Sequence, residues 1–119
     1  MNQVSFNEVF RRRSKQFAIQ TMRFCSILPK NEEARIIKRQ LIRSVTSVAA
    51  NFRAVCIARS QKERYAKYCI VVEEADETSF WLELLEESHL NIKVPIEIKN
   101  EAFEIAKVMS SMKKKLKPK

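Results

Sequence analysis

Apolar residues recur along this chain at intervals of three and four, and the rhythm is broken at three places. Phe6, Phe10, Phe17, Thr21, Phe24 and Leu28 form the first row, interrupted by Arg13 and closed by Pro29. Ser5 and Glu8 make a capping box at its start, the serine accepting from a free amide and the glutamate reaching back. Ala34, Ile37, Leu41, Val45, Val48, Phe52 and Val55 form the second row, behind Asn31 and with Glu32 and Glu33 placed to meet the helix dipole. A second capping box, Ser60 to Glu63, opens a third segment carrying Tyr65, Cys69, Val72, Ala75, Phe80, Leu82 and Leu85, which ends near Asn91 and Pro95. Ala102, Ile105, Met109, Met112 and Leu116 make the fourth, running into Lys113–Lys119. The pattern predicts helices over about 5–28, 32–57, 61–88 and 96–115. Short connections between long helices force antiparallel neighbours. A single all-α domain over 1–119, an antiparallel up-down four-helix bundle, is therefore expected.

Composition narrows the chemistry. The 119 residues include no glycine and 3 prolines. Phosphate-cradling loops, dinucleotide-binding turns and tight hairpins need a residue that tolerates positive φ or close backbone approach, which argues against all three. No run of about 18 apolar residues is present, so no membrane span is expected. The N-terminal basic cluster follows the first apolar residues instead of preceding a continuous apolar stretch, the reverse of a signal peptide. Cys25, Cys56 and Cys69 are odd in number, widely spaced and in apolar surroundings, as reduced thiols of a cytoplasmic protein would be.

Charge then sets the functional question. The 23 Lys and Arg against 14 Asp and Glu leave a formal charge of +9. Residues 9–72 carry 15 basic and 3 acidic side chains, whereas residues 73–104 carry 2 basic and 10 acidic. The basic set comprises Arg11, Arg12, Arg13, Lys15, Arg35, Lys38, Arg39, Arg43, Arg53 and Arg59. Arg35, Arg39 and Arg43 stand four apart, a row with about 6 Å between members, close to phosphate spacing. No glutamate alternates with them, and like charges at this spacing repel. A polyanion is the natural outside partner, bound through its backbone and sensitive to salt.

Catalytic constellations are missing from the sequence. His89 is the single histidine, no metal-ligand spacing occurs, and no nucleophile–base pair is visible, so no enzyme, metal or cofactor is expected. Glu73, Glu74, Asp76 and Glu77 are dense but divide between helix faces, which suits a solvated or interface strip better than a cation site. Ser44, Ser47 and Asn51 line one face in mid-helix, where such residues need partners. Two readings stand. They pair with the polar side of the third helix, Glu74 and Glu77 included, and fix register, or Asn51 and Arg53 touch a ligand. Phe80 and Trp81 diverge by about 100° and cannot share one core, so either one of them meets a subunit interface or Trp81 covers a helix–helix edge within the subunit.

Three blocks, Gln40-Leu-Ile-Arg-Ser-Val-Thr-Ser-Val-Ala-Ala-Asn-Phe-Arg53, Ser60 with Lys62-Glu63, and Glu74-Ala-Asp-Glu-Thr-Ser-Phe-Trp-Leu-Glu-Leu-Leu85, carry a resemblance. Over about residues 6–116 the chain resembles the four helix bundle protein family, also called the S23 or 23S rRNA intervening-sequence protein family. Relatives include the accessory variability proteins of diversity-generating retroelements. The resemblance implies a barrel-like homopentamer and, for some relatives, binding to nucleic acid and a reverse transcriptase through a basic surface. Two positions depart from the family pattern: Ala49, where glycine is frequent, and Ala54, where glutamate is frequent. The expected function is a non-enzymatic nucleic-acid-binding or accessory protein. The alternative is a structural module whose basic face docks an acidic partner protein.

Overall fold

The structure is a computed structural model that describes residues 5–117. Four helices account for nearly all of it: α1 (Phe6–Cys25), α2 (Glu32–Cys56), α3 (Gln61–Glu87) and α4 (Ile96–Leu116), with no strand among the described residues. Ser5, Asn31 and Ser60 cap the first three, each side-chain oxygen accepting from the amide three residues on at 3.1, 2.8 and 3.0 Å. Glu63 reaches back as a capping box requires, although it accepts from the Arg59 amide at 3.3 Å, one residue beyond the cap. Helix α4 has no side-chain cap, and Pro95 serves at its start, its carbonyl accepting from Ile98 and Lys99.

The first helix stops at Cys25, three residues earlier than its apolar row suggested. Ser26, Ile27 and Leu28 donate to carbonyls three residues back, so the chain continues as tightened turns that still bury Leu28. In the connector after α3 stands Asn91, whose φ of 49° is in the left-handed region. A sequence without glycine uses the residue that tolerates that conformation best among the rest. Ile92 donates to the Leu85 carbonyl, and Val94, buried, donates to Glu86.

Helices α1 and α3 each pack against both α2 and α4, while the diagonal pairs do not approach. Four helices thus enclose one core, in a body of 45 × 35 × 18 Å. All seven residues of the second predicted row are buried. The third helix differs from its reading. Its buried row is Tyr68, Val71, Ala75, Thr78, Leu82 and Leu85, while Tyr65, Cys69 and Val72 are half-buried and Phe80 is exposed. A threonine inside the stripe and a phenylalanine outside it disguised which face turns inward. Phe52 stands at the aromatic centre, its ring 6.2 Å from Phe6, Phe10 and Tyr68. No helix among the described residues is long and apolar enough to cross a membrane.

Candidate nucleic-acid interface

Burial of Phe10, Ser14 and Phe17 orients α1, and the positions between them must face solvent. Arg11, Arg12 and Lys15 occupy those positions and are exposed. Burial of Phe52 does the same for its neighbour on α2, turning Arg53 outward by about 100°. The result is an open groove of about 450 Å³ between α1 and α2, lined by Glu8, Arg11, Arg12, Lys15 and Arg53. None of its four cations enters an ion pair among the described residues.

The Cys56 thiol reports on the same flank. Burial raises its pKa, and Arg11, Arg53 and Arg64 oppose that rise through their charge. Arg64 at the start of α3 therefore adds to the positive field at this thiol. Sequence reasoning missed Arg64. It follows Arg53 by eleven residues but lies on the next helix, so spacing within one helix could not unite them.

The other expected cations are spoken for in varying degree. Arg43 does not end an uncompensated row. Its guanidinium reaches across to α3, donating to Glu74 at 3.1 and 3.3 Å and also to Glu77, while its Nε donates to Gln40 at 3.1 Å. Glu77 in turn accepts from Trp81 Nε1 at 3.1 Å. The Arg43 hydrogen bond, then that of Trp81, hold the Glu77 carboxyl below the usual carboxylate range, and Glu77 raises Arg43 in return. Arg13 also departs from its expected role. It grips Glu101 of α4 through two bonds of 2.7 Å and lies 5.0 Å from the Phe10 ring centre. Arg35 meets Glu32 at 3.4 Å and Arg59 meets Glu63 at 3.9 Å, both loose and exposed. Lys38 and Arg39 enter no ion pair among the described residues, but Arg39 now stands between two neutralised neighbours. Of the phosphate-spaced row Arg35–Arg39–Arg43 only Arg43 is firmly held by carboxylates, whereas none of the four cations of the α1–α2 groove enters an ion pair among the described residues.

The small polar residues divide differently from either reading. Ser44 is fully buried, and its hydroxyl donates to the Leu41 carbonyl at 3.1 Å, while the Thr78 hydroxyl of α3 lies 3.0 Å from it and 2.8 Å from the Glu74 carbonyl of its own helix. The Ser44 proton goes to Leu41 and the single Thr78 proton is shared between Ser44 and the Glu74 carbonyl, so each hydroxyl has a partner and the α2–α3 register is keyed at this point. Asn51 instead turns back on its own helix, donating to the Ser47 carbonyl and hydroxyl at 2.9 and 3.0 Å. Glu74 and Glu77 belong to Arg43, not to Ser44, Ser47 or Asn51.

Phe80 is exposed and Trp81 half-buried, their rings edge-to-face at 4.9 Å. Beside Trp81, Ile36, Ile37, Leu84 and Leu90 line an apolar groove between α2 and α3. His89 sits at its rim, 2.8 Å from Glu33. Among the described residues no group of histidine, cysteine, aspartate or glutamate side chains could hold a metal ion, the acidic run from Glu73 to Glu77 included. The thiols are free, and burial pushes that of Cys25 up to about 11, an inert core group. The lining of the α1–α2 groove is thus three arginines, one lysine and one glutamate.

Comparison with known proteins bears on the whole chain. A sequence model described as 23S rRNA-intervening sequence protein matches residues 7–111. A crystal structure of a protein of unknown function from the S23 ribosomal protein family, from Bacteroides thetaiotaomicron VPI-5482, superposes with a TM-score of 0.80 and 31% identity. The match covers 91% of this chain and 97% of that one. No curated protein matches.

Proposed function

Since this chain belongs to the 23S rRNA-intervening sequence protein family, we propose that it is a non-enzymatic nucleic-acid-binding protein that grips the phosphate backbone with its α1–α2 flank. The observation that carries this reading is the groove in which Arg11, Arg12, Lys15 and Arg53 converge, outnumbering its one carboxylate, Glu8, and forming no ion pair among the described residues. Four like charges held together repel one another, and a row of phosphates removes that repulsion while releasing counterions. Arginine forks suit phosphate oxygens, and the absence of an aromatic lining leaves bases unread. Arg64, Lys38 and Arg39 extend the field. Arg13, Arg35, Arg43 and Arg59 serve the fold first.

The same proposal includes a cytoplasmic setting, the antiparallel up-down connectivity and a homopentamer. Connectors of only a few residues favour reversed neighbours. The Phe80–Trp81 pair with Ile36 and Leu84 offers an apolar surface for a subunit contact. A reverse transcriptase is the proposed protein partner, acting on nucleic acid that this subunit holds.

The test is a fluorescence titration of a labelled RNA duplex between 50 and 200 mM salt. Four phosphate contacts predict that affinity falls about 150-fold across that range. Arg11→Glu, Arg12→Glu and Arg53→Glu together should remove most of the binding and flatten the salt dependence. A wild-type affinity indifferent to salt would sink the reading.

A further inference from the structure

The α3–α4 seam carries a surface of opposite character. Two adjoining grooves of about 310 and 580 Å³ share Ser79, Glu83 and Phe103, so they form one continuous channel along the seam. Its floor is apolar, built from Val72, Leu82, Ala102 and Ala106, and Phe103 stands in its middle at 64% exposure. Ile96, 59% exposed, lies two turns away on the same face of α4. A phenylalanine and an isoleucine this bare are costly to leave in water, and nothing in the bundle covers them.

The rim is acidic. Asp76 and Glu83 line the channel and enter no ion pair among the described residues, and Glu86 is held by Lys99 at 2.9 Å. Lys107 closes one end. On a chain with a formal charge of +9 these free carboxylates beside exposed apolar groups are a local inversion of sign. From Val72 to Glu86 the channel runs about 21 Å along α3, the length of a helix of about four turns.

We infer that the α3–α4 channel is a docking surface for a basic amphipathic helix of another protein. Its apolar stripe lies over Phe103 and Ala106, and its lysines or arginines flank the stripe to meet Asp76 and Glu83. The occupant has to be a helix because the channel lies between two helices and offers side chains, with no open backbone for a strand to pair with. It has to be basic because Asp76 and Glu83 admit cations and repel an acidic face. The surface is separate from the cationic flank, so both can be occupied together.

The experiment measures fluorescence anisotropy of a labelled Lys/Leu peptide of about 18 residues, with leucines at helical spacing, against the full chain. Phe103→Ala is expected to weaken binding by about tenfold or more, as loss of a central aromatic anchor does. Asp76→Lys with Glu83→Lys should weaken it comparably and lessen its salt dependence. All three positions are on the surface, and circular dichroism confirms that each variant folds. A Leu/Glu twin of the peptide should not compete. The inference is overturned if both variants bind within about twofold of wild type, or if the acidic twin binds equally well. It is also overturned if, without peptide, sedimentation shows that Phe103→Ala dissolves a self-assembly, since a second copy would then own the channel. Duplex RNA binding by the α1–α2 flank should be unchanged in both variants, which separates the two surfaces.

Discussion

Arg43 and Arg53 lie on one helix, ten residues apart, and have opposite fates. Arg43 faces α3, where two carboxylates and the Trp81 indole lock it into a network spanning two helices. Arg53 faces α1, whose nearest turns present Arg11, Arg12 and Lys15, and it has only Glu8 among the groove's lining to answer them. The residue type is the same and the helix is the same. What differs is the charge of the opposing helix: α3 carries the acidic run at that height and α1 carries the basic one. A cation on a helix surface is thus structural or available according to its neighbour, and its own spacing along the sequence does not decide.

The largest effect expected from attacking this contrast comes from Phe52, the residue next to Arg53. Its ring joins Phe6 and Phe10 of α1 to Tyr68 of α3, and it is almost wholly buried. Phe52→Ala should cost about 3–5 kcal/mol by opening a cavity at the point where α1 is held to α2. Chemical denaturation would read this as a lower midpoint. Because the cationic groove depends on that packing, RNA binding should weaken too, although no cation has been removed. Intact binding by a destabilised protein would mean that the flank is organised by α1 alone.

A smaller effect separates the two arginines directly. Arg43→Ala removes the counter-charge that Glu74 and Glu77 share, and should cost about 1–2 kcal/mol of stability, limited by the partial exposure of the pair. Its RNA affinity should stay near wild type. Arg53→Ala should do the converse, leaving the denaturation midpoint within about 0.5 kcal/mol of wild type while weakening RNA binding. If Arg43→Ala loses binding as severely as Arg53→Ala, the seam arginine is part of the interface and the contrast collapses.

These residues also show how far the sequence alone could be read. The second helix was the most legible, because Ala34, Ile37, Leu41, Val45, Val48, Phe52 and Val55 recur at threes and fours, with Ser44 the one polar residue buried beside them. Three caps were legible because a serine or asparagine oxygen finds the amide three residues later by local geometry alone. The third helix was not, since its inward row contains Thr78 while Phe80 points out. The site was half legible. That cations were in excess followed from counting, but which of them were free depended on contacts over 31 to 88 residues of separation, such as Arg43 to Glu74 and Arg13 to Glu101. Spacing within one helix carries no information about those.

The smallest and most selective effect should appear in acid. In the folded protein the Arg43 and Trp81 hydrogen bonds hold the Glu77 carboxyl below its ordinary value, whereas in the unfolded chain it titrates near about 4.3. The unfolded state therefore takes up the proton first as pH falls. The stability this carboxylate contributes is complete above the unfolded value and is lost as pH drops through the lower, folded one. Urea midpoints measured from pH 7 to pH 2.5 should consequently decline on the acid side. In Glu77→Gln that decline should be shallower, because the variant has already forfeited the charged partnership at pH 7. Arg53→Gln should follow the wild-type curve throughout, as no carboxylate on the flank depends on it. Glu86, lowered by its hydrogen bond from Lys99, supplies a residual slope common to all three proteins. Parallel acid limbs for wild type and Glu77→Gln would mean that the α2–α3 network contributes no linkage, and Arg43 would then be no more committed to the fold than Arg53.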